Sequence, residues 1–113
     1  MVTAEAALVI PVLLAVTLTL SWAITIGAAQ VQLIDAAREG ARLAARGESA
    51  AVVDDAVGRA GPDGVRAEVS RAGDVVTVTV HADVGAAVPL LGELPAVALH
   101  SVAVATVEDP GAP

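Results

Sequence analysis

The stretch AALVIPVLLAVTLTLSWAITIGAAQVQLI, residues 6–34, decides the fold of this chain of 113 residues. It contains no Asp, Glu, Lys, Arg or His, and a single acid, Glu5, precedes it. The hydrocarbon core of a bilayer requires about 20 mostly apolar residues of helix, so this stretch is longer than one crossing needs. The sequence therefore predicts an N-terminal membrane-spanning helix, with the rest of the chain forming a module attached to it.

Two residues modify this helix. Pro11 lies inside the apolar run, where it removes one backbone hydrogen bond and presses against the carbonyl of Ala7, so we expect a kink there. Glu5 stands at the mouth of the helix, and a carboxylate costs about 2.5 kcal/mol or more at the bilayer centre. Glu5 is therefore either an interfacial acid favoured by the helix dipole or the partner of a cation near the membrane, such as an α-amino group.

The helix is expected to continue past the membrane to residue 46, because residues 35–46 are rich in Ala and Arg. Gly47 then suits the C′ position of the helix. Two stripes run along this extension. The charged stripe consists of Arg38, Glu39, Arg42 and Arg46, and the small stripe consists of Ala37, Gly40, Ala41 and Ala44. The small stripe permits close approach of another backbone, either from the chain's own module or from a second subunit.

Two blocks of the sequence resemble the TadE-like minor pilins, pseudopilins of the tight-adherence (Flp) type IV pilus system. The first block is TAEAALVIPVLL, residues 3–14, with its Glu at the fifth place of the chain. The second is AREGARLAA, residues 37–45, just beyond the predicted membrane helix. The resemblance covers about the first 45 residues. Ala6 departs from the family pattern, in which an aromatic residue often follows the Glu.

The resemblance implies processing, partners and a location. A prepilin peptidase would remove a basic leader immediately before Met1, and Glu5 would guide processing or assembly. The implied partners are membrane lipid, other pilin or pseudopilin subunits and the pilus assembly machinery. The implied location is the cell membrane, crossed once, with the head outside the cytoplasm, or a surface pilus used in cell adhesion.

The remainder of the chain reads as a small α+β module. Ser49 can cap a short helix over residues 50–59, and Gly61-Pro62-Asp63-Gly64 ends it. Strands are predicted over residues 65–71, 75–84 and 97–107, with a hairpin connection at residues 72–74, a loop over residues 85–95 and a frayed tail over residues 108–113. The predicted fold class is α+β: a long N-terminal helix, its transmembrane part and extension together, a short helix and a three-stranded antiparallel sheet. We expect residues 1–47 to form the anchor and stalk and residues 48–113 to form the head, which is extracytoplasmic if the resemblance holds.

Charge and composition exclude several functions. The net charge is −7, all of it in residues 48–113, so no basic face is available for nucleic acid. Cysteine is absent, which excludes disulfides and thiolate metal ligands. His81 and His100 with Asp83 supply the elements of a weak metal site, but without a Glu-x-x-His spacing they are better read as strand surface residues. No catalytic motif is recognisable, so we predict no enzyme, no cofactor, no metal and no small-molecule substrate.

Three classes of function remain open. The chain is a minor pilin or pseudopilin, a signal-anchored accessory subunit of a membrane complex, or a secreted module. Gly27-Ala28-Ala29 before Gln30 has the small-x-small form of a signal peptidase site, but the apolar run before it exceeds the usual h-region of about 7 to 15 residues. The arginines of the charged stripe follow the span and, taken alone, favour a cytoplasmic head, an inference that a removed basic leader would reverse.

Overall fold

The structure, a computed structural model, describes residues 2–85, 87–88, 92–93 and 95–107. It confirms the predicted α+β class, in a molecule of 82 × 22 × 19 Å. The elements are α1 (Val2–Ala45), α2 (Ala50–Ala60), β1 (Arg66–Ala72), β2 (Val75–Val84), β3 (Ala87–Val88), β4 (Gly92–Glu93) and β5 (Val97–Thr106). Strands β1, β2 and β5 form an antiparallel sheet in the order β1-β2-β5.

Helix α1 runs without interruption from the apolar stretch into the head and continues through Pro11. In its apolar part the hydroxyls of Thr17, Thr19 and Thr25 donate to carbonyls four residues earlier, at 2.8–3.0 Å. These bonds satisfy the hydroxyl donors within the helix itself. The residues from 3 to 28 are exposed or half-buried, and the first buried residue of α1 is Ala29.

The C-terminus of α1 closes as the sequence predicts. Gly47 has a φ of 84°, and its N–H donates to the carbonyl of Ala44 at 3.1 Å. The N–H of Glu48 donates to the carbonyl of Leu43 at 3.1 Å, so the two bonds together form a Schellman motif. Helix α2 then begins at the predicted cap, where the Ser49 Oγ accepts from the N–H of Val52 at 3.3 Å.

The core lies between the sheet and the two helices. Val76, Val78, Val80 and Ala82 on β2 point toward the helices and are fully buried, as the alternating pattern of this strand predicts. They pack with the helix residues Leu33, Ala36, Ala37, Ala41, Ala44, Val53 and Val57. The core therefore consists mostly of Val on β2 and α2 and mostly of Ala on α1, which brings the helix backbone close to the sheet.

The observed ends of β1, α2 and β5 differ from the predicted ends by one residue. Strand β1 begins at Arg66 because the N–H of Val65 donates to the carbonyl of Pro62 in the preceding turn. It extends to Ala72, which pairs with Val75 across a two-residue turn in which Gly73 has a φ of 60°. Helix α2 extends by one residue to Ala60, and β5 ends one residue early at Thr106.

The loop predicted over residues 85–95 is partly wrong. It contains the two-residue strands β3 and β4, which pair antiparallel through Ala87 with Glu93 and Val88 with Gly92. Two residues are too few to show an alternating pattern, so the sequence carries no signal for this ladder. The predicted tail over residues 108–113 and residues 86, 89–91 and 94 of the predicted loop lie outside the described residues.

Gly58 offers a test of the description of α2. A Cβ added there meets no atom within 4 Å, and its φ is not positive, so Gly58→Ala is expected to raise the free energy of unfolding of the head by about 0.5–1 kcal/mol. The measurement is amide hydrogen exchange of β2 in the detergent-solubilised full chain. Gly47→Ala is the control and is expected to lower the free energy of unfolding, because it forces Ala into positive φ at a cost of about 1–2 kcal/mol. An equal response to both changes would contradict these backbone assignments.

Candidate functional site

The first part of α1 carries an exposed apolar surface. Leu8 is 73% exposed and Ile24 71%. The other large apolar side chains exposed on α1 are Val9, Ile10, Val12, Leu13, Leu14, Val16, Leu20 and Val31. By length and composition this helix is apolar enough to cross a membrane. A signal sequence near an N-terminus meets the same criteria of length and composition. The head leaves these residues uncovered, so they require an apolar solvent or a partner.

The two ends of this apolar part differ. Glu5 lies in the first turn of α1 with its side chain exposed, and no ion pair of Glu5 is found among the residues that the structure describes. Met1, the predicted processing position, lies outside the described residues. At the other end Ala29, one turn after Thr25, is the first residue of α1 that is buried against the head. Between the two ends, residues 3–28 span about 39 Å at 1.5 Å per residue.

An open cleft marks the junction between the apolar helix and the head. Its lining comes from α1 at Ile24, Thr25 and Ala28 and from the head at Asp63 and Asp83. Asp83 lies 3.9 Å from the guanidinium of Arg66, and both side chains are largely exposed. The cleft therefore lies where the apolar helix meets the acidic surface of the head.

The small stripe lies inside the head. Ala37, Ala41 and Ala44 are buried, and Gly40 faces α2 and the sheet. A Cβ built at Gly40 would stand 3.0 Å from Val57 Cγ2 and 3.1 Å from Val78 Cγ1. The stripe is therefore the contact between α1 and its own head. In this structure its partner is the chain itself, the first of the two partners that the sequence leaves open.

The charged stripe faces solvent on the opposite side of α1. The Arg42 Nη2 donates to both oxygens of Glu39, at 2.6 and 2.8 Å, and Arg42 Nε donates to Oε2 at 3.1 Å. This hydrogen bonding holds the pKa of Glu39 below its ordinary value and raises the pKa of Arg42. Arg38 and Arg46 are exposed on the same side. Because Glu39 neutralises Arg42, the stripe is less cationic than its three arginines indicate.

Two long-range hydrogen bonds fasten α1 to the sheet, and sequence reasoning missed both. The Arg71 Nη2 donates to the carbonyl of Ala44 at 3.2 Å, at the C-terminal end of α1, where a cation is favoured by the helix dipole. The Gln30 Nε2 donates to the carbonyl of His100 at 3.2 Å. The sequence could have indicated the bond from Arg71, because the alternation of side chains along β1 places Arg71 on the face of the strand that is turned toward the helices.

The two histidines lie side by side on the outward face of the sheet. His81 and His100 are directly opposite each other in the β2–β5 register, and Arg66 is opposite His81 on the other side. Within the described ranges, no group of three or more His, Cys, Asp or Glu side chains is placed to hold a metal ion. The cation of Arg66 in the same row opposes binding of a second cation.

The structure thus separates two surfaces, an uncovered apolar helix with an acid at its N-terminal end and a small acidic head fixed rigidly to its other end. The apolar helix fits a single-pass membrane anchor. Comparison of the chain with protein-family models, with curated proteins and with solved structures finds no match.

Proposed function

We propose that this chain is a structural, membrane-anchored subunit of the minor pilin or pseudopilin type in a Tad/Flp-type pilus assembly system. The observation that carries the proposal is the form of α1, an apolar helix with Glu5 in its first turn that becomes buried against the head only from Ala29. The sequence blocks at residues 3–14 and 37–45 add the family resemblance. Neither observation depends on a catalytic or ligand-binding group.

The dimensions support the anchor. A bilayer has a hydrocarbon core of about 30 Å and a total thickness of about 40–45 Å with its headgroups. The uncovered part of α1 is about 39 Å long. It therefore crosses the core with Glu5 at one headgroup layer, while the cleft of Thr25, Asp63 and Asp83 lies at the other. The head then sits directly on the membrane surface.

The continuity of α1 supports a structural role. The helix that lies in the membrane is the same helix whose Leu33, Gly40 and Ala44 form the core of the head. A lateral contact between two apolar helices in the membrane therefore fixes the relative positions of the two heads, with no hinge between them. This is the property that a subunit assembled through parallel helix packing requires.

The two alternative functions, an accessory subunit and a secreted module, make different predictions for Glu5 and for the mature N-terminus. A signal-anchored accessory subunit has the same shape but gives Glu5 no partner. A secreted module requires cleavage after Ala29, which lies within continuous helix and is buried against the head. Cleavage there leaves Leu33 and the small stripe in the mature chain, so the head could retain most of its core. The mature N-terminus distinguishes the secreted module from both anchored forms.

We expect mass spectrometry of the membrane-extracted protein to find Met1 at the N-terminus. The head should be cleaved by protease added outside intact cells, at exposed bonds such as those around Arg59. The control is the same digestion after permeabilisation, which reports cleavage regardless of orientation. A mature N-terminus at Gln30 would support the secreted module, and a head that is cleaved only after permeabilisation would exclude the pilin proposal.

A further inference from the structure

The face of the sheet turned away from α1 carries an uncovered apolar patch. The β2–β5 register places Val75 opposite Thr106, Thr77 opposite Val104 and Thr79 opposite Val102. We call these six residues the outer patch. Val104 is 64% exposed, Val102 52% and Val75 40%. The outward face of an antiparallel sheet is commonly polar, so three exposed valines in adjoining rows require an explanation.

The outer patch is neutral in a strongly acidic molecule. Its side chains are three Val and three Thr, whereas the whole chain has a net charge of −7. The charged residues of the same face stand beside it. Glu68 on β1 is opposite Thr79, Arg66 on β1 is opposite His81, and Asp83 lies two rows beyond Thr79 on β2. Two copies of this chain repel each other over most of their head surface, but the outer patch brings no charge against its own copy.

The orientation of β5 shows which way the patch faces. Near its start the carbonyl of His100 is bonded to Gln30 of α1, and near its end Ala105 lines a groove with Ala41 and Ala45. Strand β5 therefore runs alongside α1 and in the same direction. The sheet stands along the helix axis, with the outer patch at the end remote from the apolar helix. In an anchored chain this face looks sideways, toward a neighbouring head and away from lipid.

We propose that the outer patch is the contact between two copies of this chain, related by a two-fold axis along the membrane normal. The proposal rests on the anchoring part of the proposed function and is independent of the pilus assignment. Anchoring holds the two heads at equal height, so each row of one patch meets the same row of the other. Thr77 of one copy then faces Val104 of the next, and Glu68 on the neighbouring strand β1 lies outside the two strands that meet.

The size of the patch determines where pairing occurs. The outer patch is two strands wide and about five residues long, so it covers on the order of 150–200 Å² per copy, below the ~800 Å² per partner of a stable soluble complex. Confinement to one membrane raises the effective concentration of the partner and compensates for the small area. Pairing is therefore expected in the membrane and lost on dilution in detergent. Because an isologous contact closes on itself, the surface makes pairs and not chains.

The absence of cysteine from the chain allows a direct test. Val104→Cys places a single thiol in the outer patch, and Ala51→Cys places one on the exposed surface of α2, on the helix side of the head. Facing sheets pack about 10 Å apart, a gap that a short bis-maleimide bridges. In native membranes we expect several-fold more cross-linked dimer from Val104→Cys than from Ala51→Cys, and the excess should disappear after dilution in detergent.

A second variant separates pairing from folding. Val102→Asp added to Val104→Cys should abolish the excess dimer, because it sets two like charges at equal height, while hydrogen exchange of β2 and membrane recovery stay unchanged. Equal cross-linking of Val104→Cys and Ala51→Cys in the membrane fraction would overturn the pairing alone. A Val104→Cys adduct with a different protein would overturn the choice of partner. A chain recovered in the soluble fraction would overturn the anchoring and this pairing with it.

Discussion

Glu5→Gln is expected to abolish co-purification of this chain with other pilus subunits, or pilus production where the chain is required, while membrane insertion stays intact. In a bundle of parallel helices staggered by about 6 Å, four residues at 1.5 Å each, the Glu5 carboxylate lies at the depth of a neighbour's first residue. The α-amino group there is its counter-ion. Removing one member of a buried ion pair leaves the other unpaired, at about 3–5 kcal/mol.

Glu5→Gln is expected to have only a small effect if the chain is a membrane anchor without a neighbouring subunit. Without a neighbour, Glu5→Gln removes only an interaction with the helix dipole, of about 0.3–1 kcal/mol. Two controls distinguish these cases. Glu5→Asp keeps the charge and should retain part of the assembly, and Glu48→Gln removes an exposed acid from the head without consequence. If Glu5→Gln assembles normally, Glu5 is an interfacial residue and the pilin proposal fails.

Much of the fold could be predicted because its signals are local. Strand β2 shows an alternation of ten residues, and its bounds Val75–Val84 agree with the prediction. Ser49 and Gly47 are a cap and a C′ residue whose roles depend on a few neighbouring atoms, and both are confirmed. The long helix follows from an apolar run that no other kind of secondary-structure element could accommodate. Each of these features is decided by residues that are close together in the chain.

The contacts between elements could not be predicted. Arg71 reaches the carbonyl of Ala44 across 27 residues of chain, and Gln30 reaches the carbonyl of His100 across 70. Such bonds depend on how the sheet is placed on α1, which no local pattern records. The same is true of the outer patch. Val102 and Val104 alternate like a half-buried strand, and only the register and the position of α1 show that these two valines face outward.

The small stripe illustrates this limit at the candidate site. Small residues at helical spacing indicate that another backbone comes close, but they are equally suited to a neighbouring subunit and to the chain's own head. The structure supplies the partner, since Val53, Val57 and Val78 surround the position where a Gly40 side chain would begin. The lateral packing of subunits that we propose must therefore use the apolar part of α1, because the extension beyond Leu33 is already occupied on this face.

Gly40→Leu is accordingly expected to destabilise the head, by at least the ~1–3 kcal/mol typical of overpacking a core. The first added atom already stands 3.0 Å from Val57 Cγ2 and 3.1 Å from Val78 Cγ1, and three more carbons follow it. Val57 and Val78 are buried, so neither can turn away into solvent. The helix must move outward, which also strains the bond from Arg71 to Ala44. Amide hydrogens of β2 in the detergent-solubilised chain should exchange about 5- to 150-fold faster, the range that corresponds to this loss of free energy.

Gly27→Leu is the matched control on the same helix. A Cβ at Gly27 meets no atom within 4 Å, so the larger side chain extends into the surroundings of the apolar helix and leaves β2 exchange unchanged. Both variants replace a glycine of the same helix by the same residue, and they therefore share the same change in side-chain size. Any difference between them reports the contact at Gly40. Equal rates of β2 amide exchange in the two variants would mean that α1 does not pack on its own head through Gly40. The small stripe would then be assigned to contacts between subunits.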